Sequence, residues 1–96
     1  MTIKEILNSY RSESLELKNR YGDLDDQTRK RLNTLEQLFK DYDLMRRKND
    51  CIQVVCLYYK YAMTAEQIAE KLNISPKTVY RKREEGIRRL SKFFGE

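Results

Sequence analysis

Apolar residues in the first 45 positions recur at intervals of three and four, which is the spacing of an amphipathic α-helix. After a polar break at 22–26, a second apolar stripe continues to residue 45, and Asp25 or Asp26 can cap its start. The first stripe comprises Ile3, Leu7, Tyr10, Leu17, Tyr21 and Leu24, and the second comprises Leu32, Leu35, Leu38, Phe39, Tyr42 and Met45. Because the first spacing alternates four and three, it forms a heptad seam. We therefore predict a helical hairpin.

Both stripes are too narrow for either helix to be stable alone in water. They can pack on each other, on the C-terminal part of the chain, or on a second copy through the seam. Intramolecular packing and a coiled-coil homodimer both remain open at this point. The polar stretch at 46–50 separates the halves, so we assign 1–48 as the helical hairpin and 49–96 as a second unit.

The apolar run at 51–63, CIQVVCLYYKYAM, is rich in β-branched and aromatic residues, so a strand is compatible with its propensity. We predict a helix because the run is long, contains no turn residue and lies between helical segments. Its apolar residues occupy all sides, which is typical of a helix buried on most of its surface. Cys51 and Cys56 would then lie on different faces, a poor geometry for a disulfide, and we expect two reduced core thiols.

The following segment opens with Thr64, and Gln67 stands three residues later. This spacing predicts a capping box, in which each side chain bonds the backbone N–H of the other residue. Ile68, Ala69 and Leu72 then form a short apolar face. We expect a helix of two to three turns that ends at Leu72.

Four residues, 73–76, carry both a helix stop and a helix start. Asn73 tolerates the left-handed conformation that ends a helix sharply, and Ile74 can fill the corner between two helices. Ser75 can cap the next helix, and Pro76 suits its first position because the missing N–H is not needed there. A stop and a start this close together predict a helix-turn-helix.

The helix that begins at Pro76 is predicted to run to residue 90 with one apolar and one basic face. The buried face comprises Val79, Gly86, Ile87 and Leu90, and the opposite face shows Lys77, Thr78, Tyr80, Arg81 and Arg88. The second helix of this motif enters the DNA major groove with its N-terminal residues against the base edges. A basic helix can also be merely a solvated surface, so the charge pattern alone does not establish DNA binding.

The candidate DNA contacts divide into two groups. Base contacts are expected from Lys77, Tyr80 and Arg81, although Arg81 can equally bind a phosphate. Backbone contacts are expected from Ser75, Thr78, Lys82, Arg83, Arg88 and Arg89, and from Thr64 and Gln67 beyond their capping role.

Charge and composition narrow the function further. Residues 1–45 carry 8 basic and 9 acidic side chains, whereas residues 60–96 carry 9 basic and 5 acidic side chains. The positive charge that makes up the net +5 therefore lies in the second half of the chain. A local basic excess is expected of a nucleic-acid footprint. The chain has no His and no Gly-rich phosphate loop, so we expect neither an enzyme nor a cofactor. Without a signal peptide or a membrane-length apolar run, a cytoplasmic protein is expected.

The stretch from Val54 to Leu90 resembles region four of bacterial sigma factors and, more closely, small phage-encoded regulators of the RinA and ArpU type. The matching positions are Met63-Thr64, Ile68-Ala69, Ser75, Thr78-Val79 and 87–90. The resemblance implies an all-α fold with a sigma-like helix-turn-helix and sequence-specific binding of double-stranded DNA. It also implies base contacts from Lys77, Tyr80 and Arg81, and RNA polymerase as a further partner.

Three departures from that family pattern matter. Ala62 and Asn73 replace glycines. Both residues 82 and 83 are basic where one is usually apolar, so either a long stem covers apolar surface or the helix is slightly rotated. Gly86 replaces a common alanine at a mid-helix cost of up to ~1 kcal/mol, for which close packing on the first helix is a reason.

The leading hypothesis is therefore a DNA-binding transcriptional regulator of phage or mobile-element origin. The alternative is a protein-interaction module that binds RNA polymerase or a sigma-like partner without binding DNA itself. Salt dependence of duplex binding separates the two, because only a groove binder loses affinity steeply as salt rises.

Overall fold

The computed structural model describes residues 1–45 and 51–96, and the side chains of these residues except at 13–18 and 42–45. Its α-helices are α1 (Ile3–Asn19), α2 (Asp26–Met45), α3 (Cys51–Val55), α4 (Ala65–Leu72) and α5 (Pro76–Phe93). A 3₁₀ turn, Tyr21–Asp23, follows α1, and a π-helical segment, Cys56–Lys60, continues α3. Within these ranges there is no strand, which confirms the predicted all-α class. The predicted polar separator at 46–50 lies outside the described residues.

Local side-chain bonds start both N-terminal helices. At α1, the Thr2 N–H donates to Glu5 Oε1 (3.0 Å) and the Glu5 N–H donates to Thr2 Oγ1 (3.2 Å), a capping box that sequence analysis missed. Hydrogen bonds from the Thr2 N–H and, to a lesser extent, from the Thr2 hydroxyl to the Glu5 carboxylate hold the pKa of Glu5 below its ordinary value. At α2, hydrogen bonds from the Thr28 hydroxyl and, to a lesser extent, from the Thr28 N–H lower the pKa of Asp25. The Arg29 N–H also bonds the Asp25 carbonyl at 3.0 Å. Of the two predicted caps, Asp25 is thus the one that holds the start of α2.

The seam on α1 is buried against the same chain over its first three positions. Ile3, Leu7 and Tyr10 are all in the core, and the Tyr10 ring meets the Phe39 ring edge-on at 5.9 Å between centroids. The seam does not continue to Tyr21, which is exposed in the 3₁₀ turn, where its hydroxyl accepts a hydrogen bond from Asn33. The predicted heptad pattern is therefore wrong at Tyr21, because α1 ends before that residue.

The two halves of the chain share one hydrophobic core. Its residues are Ile3, Ile6, Leu7 and Tyr10 from α1, Leu32, Leu35 and Phe39 from α2, Ile52, Val55, Cys56 and Tyr59, and Ile87 and Leu90 from α5. A carboxylate of Glu96 also accepts the Ile3 N–H and pairs with Arg31 at 3.3 Å. The intramolecular alternative thus accounts for the described part of the seam, while the division at 48/49 stays a prediction.

The helix predicted over 51–63 is right as far as Lys60 and wrong beyond it. The Tyr61 N–H bonds the Cys56 carbonyl at 3.3 Å, and the Met63 N–H bonds the Leu57 carbonyl at 3.1 Å, across Ala62. Ala62 has φ +52°, the left-handed conformation for which the resembling family uses glycine. No disulfide joins Cys51 to Cys56; Cys56 is buried as predicted, and Cys51 is partly exposed.

Replacing Ala62 with glycine is expected to stabilise the fold. The left-handed conformation costs an L-residue roughly 1–2 kcal/mol, and glycine avoids this cost. Because glycine also has more conformational freedom in the unfolded state, the net increase in the free energy of unfolding should be about 0.5–1 kcal/mol. Urea denaturation measures the change. Asn73→Gly is the matched control, because Asn tolerates this conformation and should gain less. A loss of stability in Ala62→Gly would contradict the left-handed backbone conformation at Ala62.

Gly86 allows α5 to approach α3 closely. A Cβ at Gly86 would lie 2.5 Å from Val55 Cγ2 and 2.7 Å from the carbonyl oxygen of Cys51. Close packing is therefore the reason for this glycine, as expected, but the partner is α3 rather than the first helix of the motif.

Among the described helices, none is both long and apolar enough to span a bilayer.

Candidate nucleic-acid interface

The capping box at the start of α4 is confirmed. The Thr64 N–H donates to Gln67 Oε1 at 2.9 Å, and the Gln67 N–H donates to Thr64 Oγ1 at 3.1 Å. Both side chains are exposed, and the capping box uses only the oxygen of the Gln67 amide. Its N–H groups are therefore left to donate to an external acceptor such as a phosphate oxygen.

The turn between α4 and α5 ends the first helix as predicted. Asn73 is left-handed (φ +56°), its N–H bonds the Glu70 carbonyl at 3.3 Å, and the Ile74 N–H bonds the Ala69 carbonyl at 3.0 Å. This pair of bonds is a Schellman motif, which satisfies the last carbonyls of α4. Ile74 packs into the cluster between the helices, so it fills the corner as expected.

The start of α5 follows the predicted chemistry. Ser75 Oγ accepts the Thr78 N–H at 3.2 Å, its hydroxyl shares a second bond with that of Thr78 at 2.9 Å, and Pro76 takes the first turn. The N-terminus of an 18-residue helix is a favourable place for a phosphate, because its N–H groups and dipole attract negative charge. The helix runs three residues beyond the predicted end at 90.

A separate small core fixes the two helices of the motif. Its members are Val54, Leu57, Ala65, Ile68, Ala69 and Val79, with Tyr58, Met63, Leu72 and Ile74 packed at its edge. On α5, Val79, Gly86, Ile87 and Leu90 are buried, which confirms the whole predicted inner face. The orientation of the outer face is therefore set by packing over the length of α5.

The predicted base-contact residues lie together on the outside of α5. Lys77, Tyr80 and Arg81 are exposed, and 46% of the Tyr80 surface is open. Neither Lys77 nor Arg81 has an ion-pair partner among the residues that the structure describes. Among the predicted backbone contacts, Thr64, Gln67 and Ser75 are exposed. Thr78 and Lys82 are partly buried.

Arg83 is placed differently from the other predicted phosphate contacts. Only 19% of its side chain is exposed, and its guanidinium lies over the rings of Tyr58 (4.6 Å) and Tyr80 (5.1 Å). Of the two explanations for adjacent cations at 82 and 83, the structure shows the first, with a basic side chain covering apolar surface. In this position the Arg83 guanidinium packs on two tyrosines and pairs with Glu84 at 3.4 Å, and its phosphate contact stays a prediction.

Arg88 and Arg89 share one carboxylate. Arg88 is hydrogen-bonded to Glu85, and Arg89 Nε lies 3.3 Å from the other oxygen of the same side chain. Both arginines remain largely exposed, at 76% and 58% of their side chains. Each guanidinium keeps further N–H groups that can bind a phosphate, and a surface ion pair of this kind is worth at most about 1 kcal/mol.

One residue of this region was not predicted from the sequence. Arg11 of α1 donates to the carbonyls of Tyr58 and Met63, and its guanidinium lies 3.9 Å from the centre of the Tyr58 ring. These contacts join residues 47 and 52 positions apart. No local pattern marks Arg11, because its importance arises only when α1 folds back onto the segment that precedes α4.

The fold and its outer face define a helix-turn-helix domain of the DNA-binding class in the C-terminal half of the chain. Residues 41–86, slightly under half of the chain, match the family model described as the helix-turn-helix domain of resolvase. The match covers α3, α4 and α5 as far as Gly86. In the same comparisons, no curated protein and no solved structure matched the chain.

Proposed function

We propose that the chain is a sequence-specific regulator of transcription that binds double-stranded DNA with α5 in the major groove. The observation that carries the proposal is the outer face of α5, where Lys77, Tyr80 and Arg81 project beside a tightly capped turn. Long polar side chains at the N-terminal end of such a helix are placed to reach base edges.

The proposed backbone contacts surround that face. Thr64 and Gln67, at the start of α4, would bind phosphates of one backbone segment. Ser75 and Thr78, at the start of α5, would bind phosphates of another. Lys82 and Arg88 would supply further cations, whereas Arg83 is left out because it is stacked on two tyrosines. We propose no enzymatic activity, because the chain has no His and no Gly-rich phosphate loop.

The biological setting is the finer part of the proposal. The resemblance to sigma region four and to phage regulators supports a phage or mobile-element origin and a contact with RNA polymerase. A homodimer through the N-terminal helices has weaker support, because Ile3, Leu7 and Tyr10 are already buried in the chain's own core. The side chain of Leu17 lies outside the described residues. Sedimentation of the chain with and without DNA would test the dimer.

Salt dependence of duplex binding tests the proposal against a protein-interaction module that binds no DNA. Affinity for a duplex should fall linearly with salt on a log–log plot, with a slope near −0.9 for each phosphate contacted. Lys82 and Arg88 are the two cations proposed on phosphates, so we expect a slope of roughly −2, because the neutral caps release no counterions. An absence of duplex binding at low salt would overturn the proposal.

A second candidate function is favoured by one observation. A groove of about 540 Å³ between α2, α3 and α5 is lined by Leu38, Ile52, Leu90 and Phe93. Phe93 is 73% exposed at its edge. Exposed apolar surface of this kind often marks a protein contact. If the chain is mainly a protein-interaction module, Phe93→Ser should abolish capture of RNA polymerase while Arg81→Ala leaves it intact.

A further inference from the structure

The ring of Tyr58 is the meeting point of two arginines from distant parts of the chain. The Arg11 guanidinium lies 3.9 Å from the ring centre and the Arg83 guanidinium lies 4.6 Å from it. Arg11 comes from α1, Tyr58 from the π-helical segment and Arg83 from α5. Cations over an aromatic ring are attracted by its quadrupole, so the one ring holds three elements together.

Arg11 fixes more than the ring. It also donates hydrogen bonds to the carbonyls of Tyr58 and Met63, the latter at 3.0 Å. Both carbonyls lie where the π-helical segment ends, and carbonyls at a helix end lack partners within the helix. Arg11 therefore fastens α1 to the connection that leads directly into Thr64 and α4.

Arg83 links the ring of Tyr58 to the ring of Tyr80 on the outer face of α5. Its guanidinium lies 5.1 Å from the centre of the Tyr80 ring, and Tyr80 is half exposed beside Arg81. Within the described part of the chain, the Arg83 Nε is buried and has no hydrogen-bond partner. Its Nη2 lies 3.4 Å from Glu84 Oε1, so this ion pair and the two ring contacts together hold the Arg83 guanidinium, which limits the rotamers open to Tyr80.

We infer that Arg11, Tyr58 and Arg83 are positioning residues that fix Tyr80 for base recognition, so that α1 is a working part of the DNA-binding unit. The inference rests on the proposed function, in which Tyr80 faces the bases. A side chain that is ordered before binding loses less conformational entropy on the DNA, and it discriminates better between correct and incorrect bases. None of the three positioning residues needs to touch DNA.

The test replaces Arg11 with lysine in the full chain. Lysine keeps the charge but lacks the planar fork that stacks on a ring and donates to two carbonyls. Arg20→Lys, an exposed position near the end of α1, is the matched control. The readout is the affinity ratio between a duplex selected by the wild-type chain and duplexes altered at single base pairs. Urea denaturation runs in parallel, because lower stability alone reduces binding to all duplexes equally.

Arg11→Lys should reduce the preference at the base pair where Tyr80→Ala also reduces it, by about two- to fivefold, the size of one exposed cation–π contact. The double variant should be no less selective there than Tyr80→Ala alone, and Arg20→Lys should match the wild type. A preference that Arg11→Lys leaves intact, or losses that add in the double variant, would overturn the inference alone. A wild-type chain with no duplex preference would overturn the proposed function and the inference together.

Discussion

Gly86→Ala should lower the free energy of unfolding by about 1–2 kcal/mol. The added Cβ would lie 2.5 Å from Val55 Cγ2 and 2.7 Å from the Cys51 carbonyl oxygen. Val55 is fully buried, and a backbone oxygen of α3 cannot rotate away, so α5 must shift. Overpacking of this kind destabilises the fold by about 1–3 kcal/mol. The better helix propensity of alanine offsets up to ~1 kcal/mol of this loss.

Gly22→Ala is the matched control for this change. A Cβ at Gly22 would have no atom within 4 Å, so the same substitution should alter stability by less than about 0.5 kcal/mol. Urea denaturation of the three chains measures both values. Because the clash displaces α5, Gly86→Ala should also weaken DNA binding. A variant as stable as the wild type would show that α3 and α5 are farther apart than described.

Arg81→Ala should weaken binding to the preferred duplex by about 1–3 kcal/mol and leave nonspecific binding nearly unchanged. Arg81 is exposed on the face that carries Lys77 and Tyr80, and its guanidinium has the geometry to donate to both acceptors of a guanine, O6 and N7. Loss of a base contact removes discrimination at one position, whereas loss of a phosphate contact affects all sequences alike.

Lys82→Ala is the contrasting variant for Arg81. Lys82 is the adjacent cation and is proposed as a phosphate contact, so its removal should lower affinity for all duplexes and reduce the salt slope by about 1. Competition binding with specific and random duplexes distinguishes the two behaviours. If Arg81→Ala weakens both duplexes equally, Arg81 contacts the backbone and its assignment to the bases is wrong.

The parts of this fold that the sequence predicts well are those decided within a few residues. The capping box of Thr64 and Gln67, the left-handed Asn73 and the cap Ser75 all depend on side chains that bond their own neighbours. Each of these residues has few alternatives in its local context, so its type and spacing determine the backbone. The end of α4, the turn and the start of α5 follow from them.

The features that sequence reasoning missed depend on distant contacts. The seam predicted as far as Leu24 is wrong at Tyr21, because spacing does not show where a helix ends. The contact of the Arg83 guanidinium with the ring of Tyr58, 25 positions away, has no signal in the local sequence. Arg11 was not considered for the same reason. Local patterns thus predicted the helix-turn-helix, and tertiary packing decided which of its cations face outward.

Selection of bound duplexes from a random pool tests most directly whether α5 reads DNA sequence. The proposed function predicts that the full chain enriches one short motif, and that Arg81→Ala loses the preference at one base pair of it. A palindromic motif would add support for a symmetric dimer, and a single half-site would favour a monomer. Recovery of a pool as random as the input, at salt low enough to retain duplex binding, would contradict sequence-specific recognition by α5.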